Sequence, residues 1–167
     1  MSAELATRVH TLADAFGNKI AMALHAAGVE TKELAAQAGL DLSQIQAVCL
    51  GDGAQPLAVW CPLMDSIIGV DFSGQCALMA KMVQEATSEA PFAPGALTEC
   101  GVTDDEIGLF LEHDLQAPAN VLFAIWVTAY GLDKQLNWTE EQTAAAKAAA
   151  QERIRQLLGG SASDDVH

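Results

Sequence analysis

The side chains in this sequence best suited to metal ligation or nucleophilic chemistry are four cysteines and four histidines, and their spacing supports neither role. Cys49, Cys61, Cys76 and Cys100 include no CxxC pair, and His10, His25, His113 and His167 do not cluster beside them. A zinc site would therefore need long-range convergence. The cysteines are expected to be unbridged core or subsurface residues in a reducing compartment, where a thiol behaves as a small hydrophobe. Two carboxylate–imidazole neighbours have the groups for acid–base work, Asp14 with His10 and Glu112 with His113. In a helical, acidic chain such neighbours are ordinarily solvated surface pairs. No glycine-rich phosphate loop, HExxH motif or nucleophile elbow is present. The chemistry-bearing residues thus predict a non-enzymatic protein with no cofactor and no metal.

The 167 residues suffice for one ordinary domain or two small ones, and a hydrophobic content of 51% against 18% charged places the chain among globular proteins. Acidic residues outnumber basic ones by 22 to 8, a formal net charge of −14. That sign repels nucleic-acid phosphate and anionic lipid, which disfavours charge-driven binding to either. The N-terminus lacks the basic and apolar regions of a secretion signal, and no later run reaches ~20 apolar residues. The expected location is cytoplasmic, with no membrane partner.

What would position any site is a set of helices. Runs alternating β-branched or aromatic with polar residues are scarce, helix formers dominate, and apolar residues recur at three and four, so the chain reads as all-α. A shift of 62 residues lays Gly39 on Gly101, Ile45 on Ile107, Asp52 on Asp114, Pro56 on Pro118, Val59 on Val121, Gly69 on Gly131 and Asp71 on Asp133, without a gap. Coincident glycine and proline punctuation is harder to obtain by chance than shared alanines, which points to an internal duplication. The first copy is expected to hold helices near Leu12–Ala27, Thr31–Ala38, Leu42–Leu50 and Ala58–Ile68, with Asp41 capping the third and Pro62 in the first turn of the fourth, or kinking that helix if it starts earlier. The second is expected to hold them near Gln75–Ala86, Gly95–Cys100, Asp104–Glu112 and Asn120–Tyr130. Trp60, Trp126 and Trp138 are expected to serve packing, since base stacking would need neighbouring cations.

The stretch from Gly28 to Pro56, GVETKELAAQAGLDLSQIQAVCLGDGAQP, followed by an apolar helix ending in Ile68-Gly69-Val70, resembles the lambda-repressor-like helix-turn-helix family of the Cro/C1 or Xre type. The resemblance covers roughly Phe16 to Phe72. Together with the repeat it implies two tandem helix-turn-helix bundles, a first domain at 1–72 and a second, degenerate one at 73–138, and a C-terminal helix and tail are expected at 139–167, where Thr139 and Gln142 form a capping box. In the family the recognition helix presents its N-terminal residues to the DNA major groove. The resemblance therefore places Leu42, Ser43, Gln44 and Gln46 at reading positions, and Thr31 where the preceding helix meets phosphate.

The supporting cations are missing. Lys19 and Lys32 are the only basic residues from Lys19 to Phe72, and Asp104, Asp105 and Glu106 stand in the second copy where the first has Leu42, Ser43 and Gln44. Three carboxylates suit a helix N-terminus through its dipole but oppose phosphate. The expected function is accordingly a regulatory protein acting through protein–protein contacts on a basic partner or a transcription regulator. Its contact residues would be Leu42, Ser43, Gln44, Gln46 and Leu50 in the first copy and Asp104, Asp105 and Glu106 in the second. The alternative is an Xre-type DNA-binding transcription regulator that uses Thr31, Ser43, Gln44 and Gln46. Thr139 to Leu158 is expected to form a final helix whose stripe of Ile154, Leu157 and Leu158 supports a homodimer.

Overall fold

The computed structural model of the chain describes residues 1–69, 71–137 and 141. The C-terminal helix expected from Thr139, its dimerisation residues Ile154, Leu157 and Leu158, and Trp138 lie outside the described residues. Those described are all-α, without a strand. In chain order the helices are α1 (Ala3–Ala27), α2 (Thr31–Ala38), α3 (Leu42–Cys49), α4 (Leu57–Leu63), which runs into a π-helical turn (Met64–Ile68), α5 (Phe72–Gln84), α6 (Pro94–Thr98), α7 (Asp104–Leu111), α8 (Ala119–Tyr130) and a 3-10 helix (Leu132–Asn137). Among the described residues, no helix is long and apolar enough to cross a membrane.

Helix α1 starts nine residues before the expected Leu12. Ser2 supplies the cap, its hydroxyl accepting from Leu5 N at 3.3 Å, while Ser2 N donates to Glu99 O at 2.8 Å and ties the chain start to the second copy. One stripe of α1, Val9, Leu12, Ala13, Gly17, Ile20 and Leu24, is buried at three- and four-residue spacing. It packs on α3 and the π turn of the first copy and on α8 and the 3-10 helix of the second. Helix α5 likewise starts earlier than the expected Gln75, because Asp71 caps it with a bond from Gly74 N at 3.0 Å.

The element order repeats under the 62-residue shift: α3 falls on α7, and α4 with its π turn falls on α8. The turns agree as well. Gly69 and Gly131 both end their helices in the left-handed region, at φ 79° and 59°. Asp52 Oδ1 accepts from Ala54 N as Asp114 Oδ1 accepts from Gln116 N. The two copies also cap each other. A helix start leaves its first N–H groups without intrahelical partners, and Pro56 and Pro118, which precede α4 and α8, offer no side-chain acceptor. Leu57 N donates to Ala117 O at 2.9 Å and Ala58 N to Leu115 O at 2.9 Å. Reciprocally, Ala119 N donates to Gln55 O at 3.1 Å and Asn120 N to Gly53 O at 2.9 Å. Exchanging the copies turns the first pair of bonds into the second.

The copies differ where single residues differ. Pro62 stands at the sixth position of α4, not in its first turn, because the helix begins at Leu57. Proline there removes an intrahelical bond and crowds the preceding carbonyls, and the helix continues as a π turn. The second copy has Ala124 at this position, and α8 runs as α-helix to Tyr130. After α3 the left-handed position is Gly51 at φ 83°, whereas after α7 it is His113 at φ 62°, the only non-glycine with positive φ among the described residues. An L-side chain there is strained by roughly 1–2 kcal/mol, part of which glycine returns through its greater unfolded-state entropy. His113→Gly is expected to stabilise the protein by about 0.5–1 kcal/mol, read as a raised midpoint in urea; an unchanged or lowered midpoint would refute the strain.

The buried residues of both copies form one hydrophobic cluster. At its centre Phe123 stacks on Phe16 at a centroid distance of 5.8 Å and meets Trp60 edge-on at 5.1 Å, with Phe72 and Trp126 completing the group. Trp60 and Trp126 are thus core residues, and Trp60 Nε1 donates to Asp52 O at 3.1 Å.

Candidate functional surface

Helix α3 is held by its inner face, where Ile45 and Val48 are fully buried. Its start is closed by a capping box, in which Gln44 Oε1 accepts from Asp41 N at 3.1 Å. Gln44, read from the sequence as a contact residue, is therefore half-buried and turned back on its own helix. Ser43 and Gln46 are exposed. Leu42 and Leu50 are 38% and 77% exposed, and with Gln46 they follow one another at four-residue steps on the outer face. No residue of α3 carries a charge, so this outward face is apolar and amide in character within a chain of net charge −14. Thr31 opens α2 and is half-buried; the turn from α2 to α3 passes through Gly39 at φ 67°, with Leu40 N donating to Ala35 O at 3.0 Å.

The corresponding start of α7 is also a capping box. Thr103 Oγ1 accepts from Glu106 N at 3.1 Å and Glu106 Oε1 accepts from Thr103 N at 2.9 Å. Glu106 is thus engaged with its own helix, while Asp104 and Asp105 face solvent.

Leu50 also stands at the edge of a cleft of about 470 Å³ that the sequence did not signal, built by both copies. Val9 and His10 of α1, Leu50 and Asp52 after α3, Val102 before α7 and Asn120 at the start of α8 line it. Two glycines make this junction. Gly51 lies so close to the Asp14 backbone that a Cβ would approach its Cα to 2.6 Å, and Gly53 packs against the Asn120 amide. The only sequence trace of the cleft is the Gly51-Asp52-Gly53 run, since its walls come from four distant segments. His10 lines it without an ion pair to Asp14, and Glu112 and His113 form none either. A half-buried ion pair lies elsewhere: Arg8 Nε and Nη2 donate to the Asp133 carboxylate at 2.8 and 3.0 Å, with 22% of the Arg8 side chain and 7% of the Asp133 side chain exposed. That bond raises the Arg8 guanidinium above its ordinary value.

Of the cysteines, Cys61 and Cys100 are buried and Cys49 and Cys76 half-buried, and all four are free thiols. Burial pushes Cys49 and Cys100 up. Cys61 on α4 and Cys76 on α5, fifteen residues apart in sequence, each shift the other's titration. Their side-chain interaction lowers Cys61 from the ordinary thiol value and raises Cys76. The sequence separation hid this pair. Among the described residues, no three His, Cys, Asp or Glu side chains group to hold a metal ion.

No family model, curated protein or solved structure matches the chain.

Proposed function

We propose that this chain is a non-enzymatic regulatory protein made of two tandem lambda-repressor-like helix-turn-helix bundles, acting through protein–protein contacts on a basic partner such as a transcription regulator. The observation that carries the proposal is the outer face of α3. A helix packed as a recognition helix presents Leu42, Ser43, Gln46 and Leu50 and no cation, within a strongly acidic chain. A DNA reader draws most of its affinity from phosphate contacts by Lys and Arg. An exposed leucine at the helix end is instead the kind of anchor that a protein partner buries. Asp104 and Asp105, exposed at the start of α7, add charge complementary to a basic partner. The helix–turn–helix order of α2 and α3, with its left-handed glycine, supports the family reading and, with it, the alternative of Xre-type DNA binding through Thr31, Ser43, Gln44 and Gln46.

The test sets the two readings against each other. In low salt, where phosphate attraction is strongest, the purified protein should leave promoter fragments of its own host unshifted. Wild type immobilised at physiological salt should retain a basic host regulator, and Leu50→Asp should reduce that retention about tenfold or more while leaving the circular dichroism spectrum unchanged. A DNA shift abolished by Gln46→Ala would replace the protein-contact reading with the DNA-binding one.

A further inference from the structure

The cleft of about 470 Å³ beside Leu50 is bordered by three polar side chains that the fold leaves with capacity to spare. Asp52, half-buried, accepts one hydrogen bond on each oxygen, from Ala54 N at 3.1 Å and from Gln55 Nε2 at 3.2 Å. Each oxygen keeps a lone pair, and no cation among the described residues pairs with the carboxylate. The ammonium of Met1, which borders the same cleft, is taken by Glu99 at 3.5 Å. The Asn120 amide and the His10 ring make no hydrogen bond among the described residues. The remaining wall includes the buried Val9 and Val102, with Leu50 at the edge.

The duplication does not require this set. When the copies are exchanged by the 62-residue shift, Phe72 stands for His10, Leu115 for Gly53, Leu40 for Val102 and Ala58 for Asn120, and Asp52 alone of the polar three keeps its type, as Asp114. A Cβ at Gly53 would run into the Asn120 amide, so the glycine is what leaves that amide its place. The same framework is therefore built in the other copy without an imidazole or an amide at these positions.

We propose that this cleft receives an arginine side chain of the basic partner, an inference that rests on the protein-contact reading above. The aliphatic stem lies along Val9 and Val102, and the guanidinium donates to the free lone pairs of Asp52 and to the Asn120 amide oxygen. A planar fork of five donors satisfies several acceptors at once, and it is more weakly hydrated than a lysine ammonium. Partial burial of Asp52 strengthens the attraction relative to a fully exposed pair. Leu50 packs beside the stem and joins the cleft to the outer face of α3.

The probe is N-acetyl-arginine N-methylamide, titrated at low salt into the isotope-labelled full chain and read by amide chemical shifts. Shifts are expected at Gly51, Gly53, Val102 and Asn120. The neutral citrulline derivative should produce none of them, and the lysine derivative should bind about threefold or more weakly. Asp52→Asn, which keeps an oxygen to accept from Ala54 N, should weaken the arginine probe about tenfold. Glu89→Gln, an equal loss of charge at an exposed position, should change it by less than about twofold. Absence of shifts at those four residues, equal shifts with citrulline, lysine binding as tightly as arginine, or equal weakening by both variants overturns the proposal. The comparison of arginine with citrulline uses wild type, so its outcome holds whether or not a variant folds. Retention of the basic host regulator separates this inference from the reading beneath it, and it should also fall about tenfold in Asp52→Asn. Retention lost in Leu50→Asp but intact in Asp52→Asn overturns the arginine site and leaves the protein-contact reading standing. Arginine bound in the cleft with no basic protein retained overturns that reading and leaves the guanidinium site standing.

Discussion

Gly17→Ala should destabilise the protein by about 3 kcal/mol or more, although alanine is the better helix former by roughly 1 kcal/mol. The reason is the closeness of α1 to the end of α3. A Cβ on residue 17 would lie 2.3 Å from Val48 O and 2.8 Å from Gly51 N. Both are backbone atoms, joined by the Gly51 N to Val48 O hydrogen bond at 2.9 Å, so no rotamer change can make room. Either α1 lifts off α3, loosening the contacts around the fully buried Ile20, Ile45 and Val48, or the turn after α3 breaks its bonds. Urea denaturation followed by circular dichroism measures the cost. Met22→Ala, at an exposed position on the same helix, should stay within about 0.5 kcal/mol of wild type and serves as the control. A Gly17→Ala protein as stable as wild type would show that the helix contact is not as close as described.

The second large effect is expected at Phe123. Truncating a fully buried phenylalanine typically costs about 3–5 kcal/mol through lost burial and the cavity left behind. Phe123 should fall at the upper end, because four rings surround it and none can collapse into the gap without giving up another contact. Phe16 and Trp60 come from the first copy while Phe123 belongs to the second, so the loss bears on the junction between them. For Phe123→Ala, tryptophan fluorescence and far-ultraviolet circular dichroism should show one coincident transition, moved as a whole to lower denaturant. Two separated transitions, only one of them displaced, would mean that the copies unfold independently and that the shared core contributes little.

The two substitutions differ in how far the sequence warned of them. That the chain is helical was legible in the spacing of its apolar residues, and the starts of α2, α3, α7 and α8 fell within a residue of where the punctuation put them. The inner faces of α3 and α7 were legible too, since Ile45 with Val48 and Ile107 with Phe110 repeat at the same spacing and are all buried. The exposure of Leu42 and Leu50 followed from the same periodicity. By contrast, the early starts of α1 and α5 depend on caps from Ser2 and Asp71, and a cap is weak evidence until the following residues are known to have something to pack on. Gly17 falls inside the expected Leu12–Ala27 helix, and the contact that requires a glycine there is with residues more than thirty positions away.

Local periodicity and turn chemistry determined the helices, their buried faces and the repeat, because those depend on neighbours within a few residues along the chain. Tertiary structure alone decided how the copies meet: the exchanged bonds around Pro56 and Pro118, the cleft beside Leu50, the pairing of Arg8 with Asp133, and the interaction between Cys61 and Cys76. Each joins groups whose separation in sequence carries no period. They come together because burying the aromatic cluster brings the two copies into one core, and burial is non-directional, so nothing local names the partner in advance.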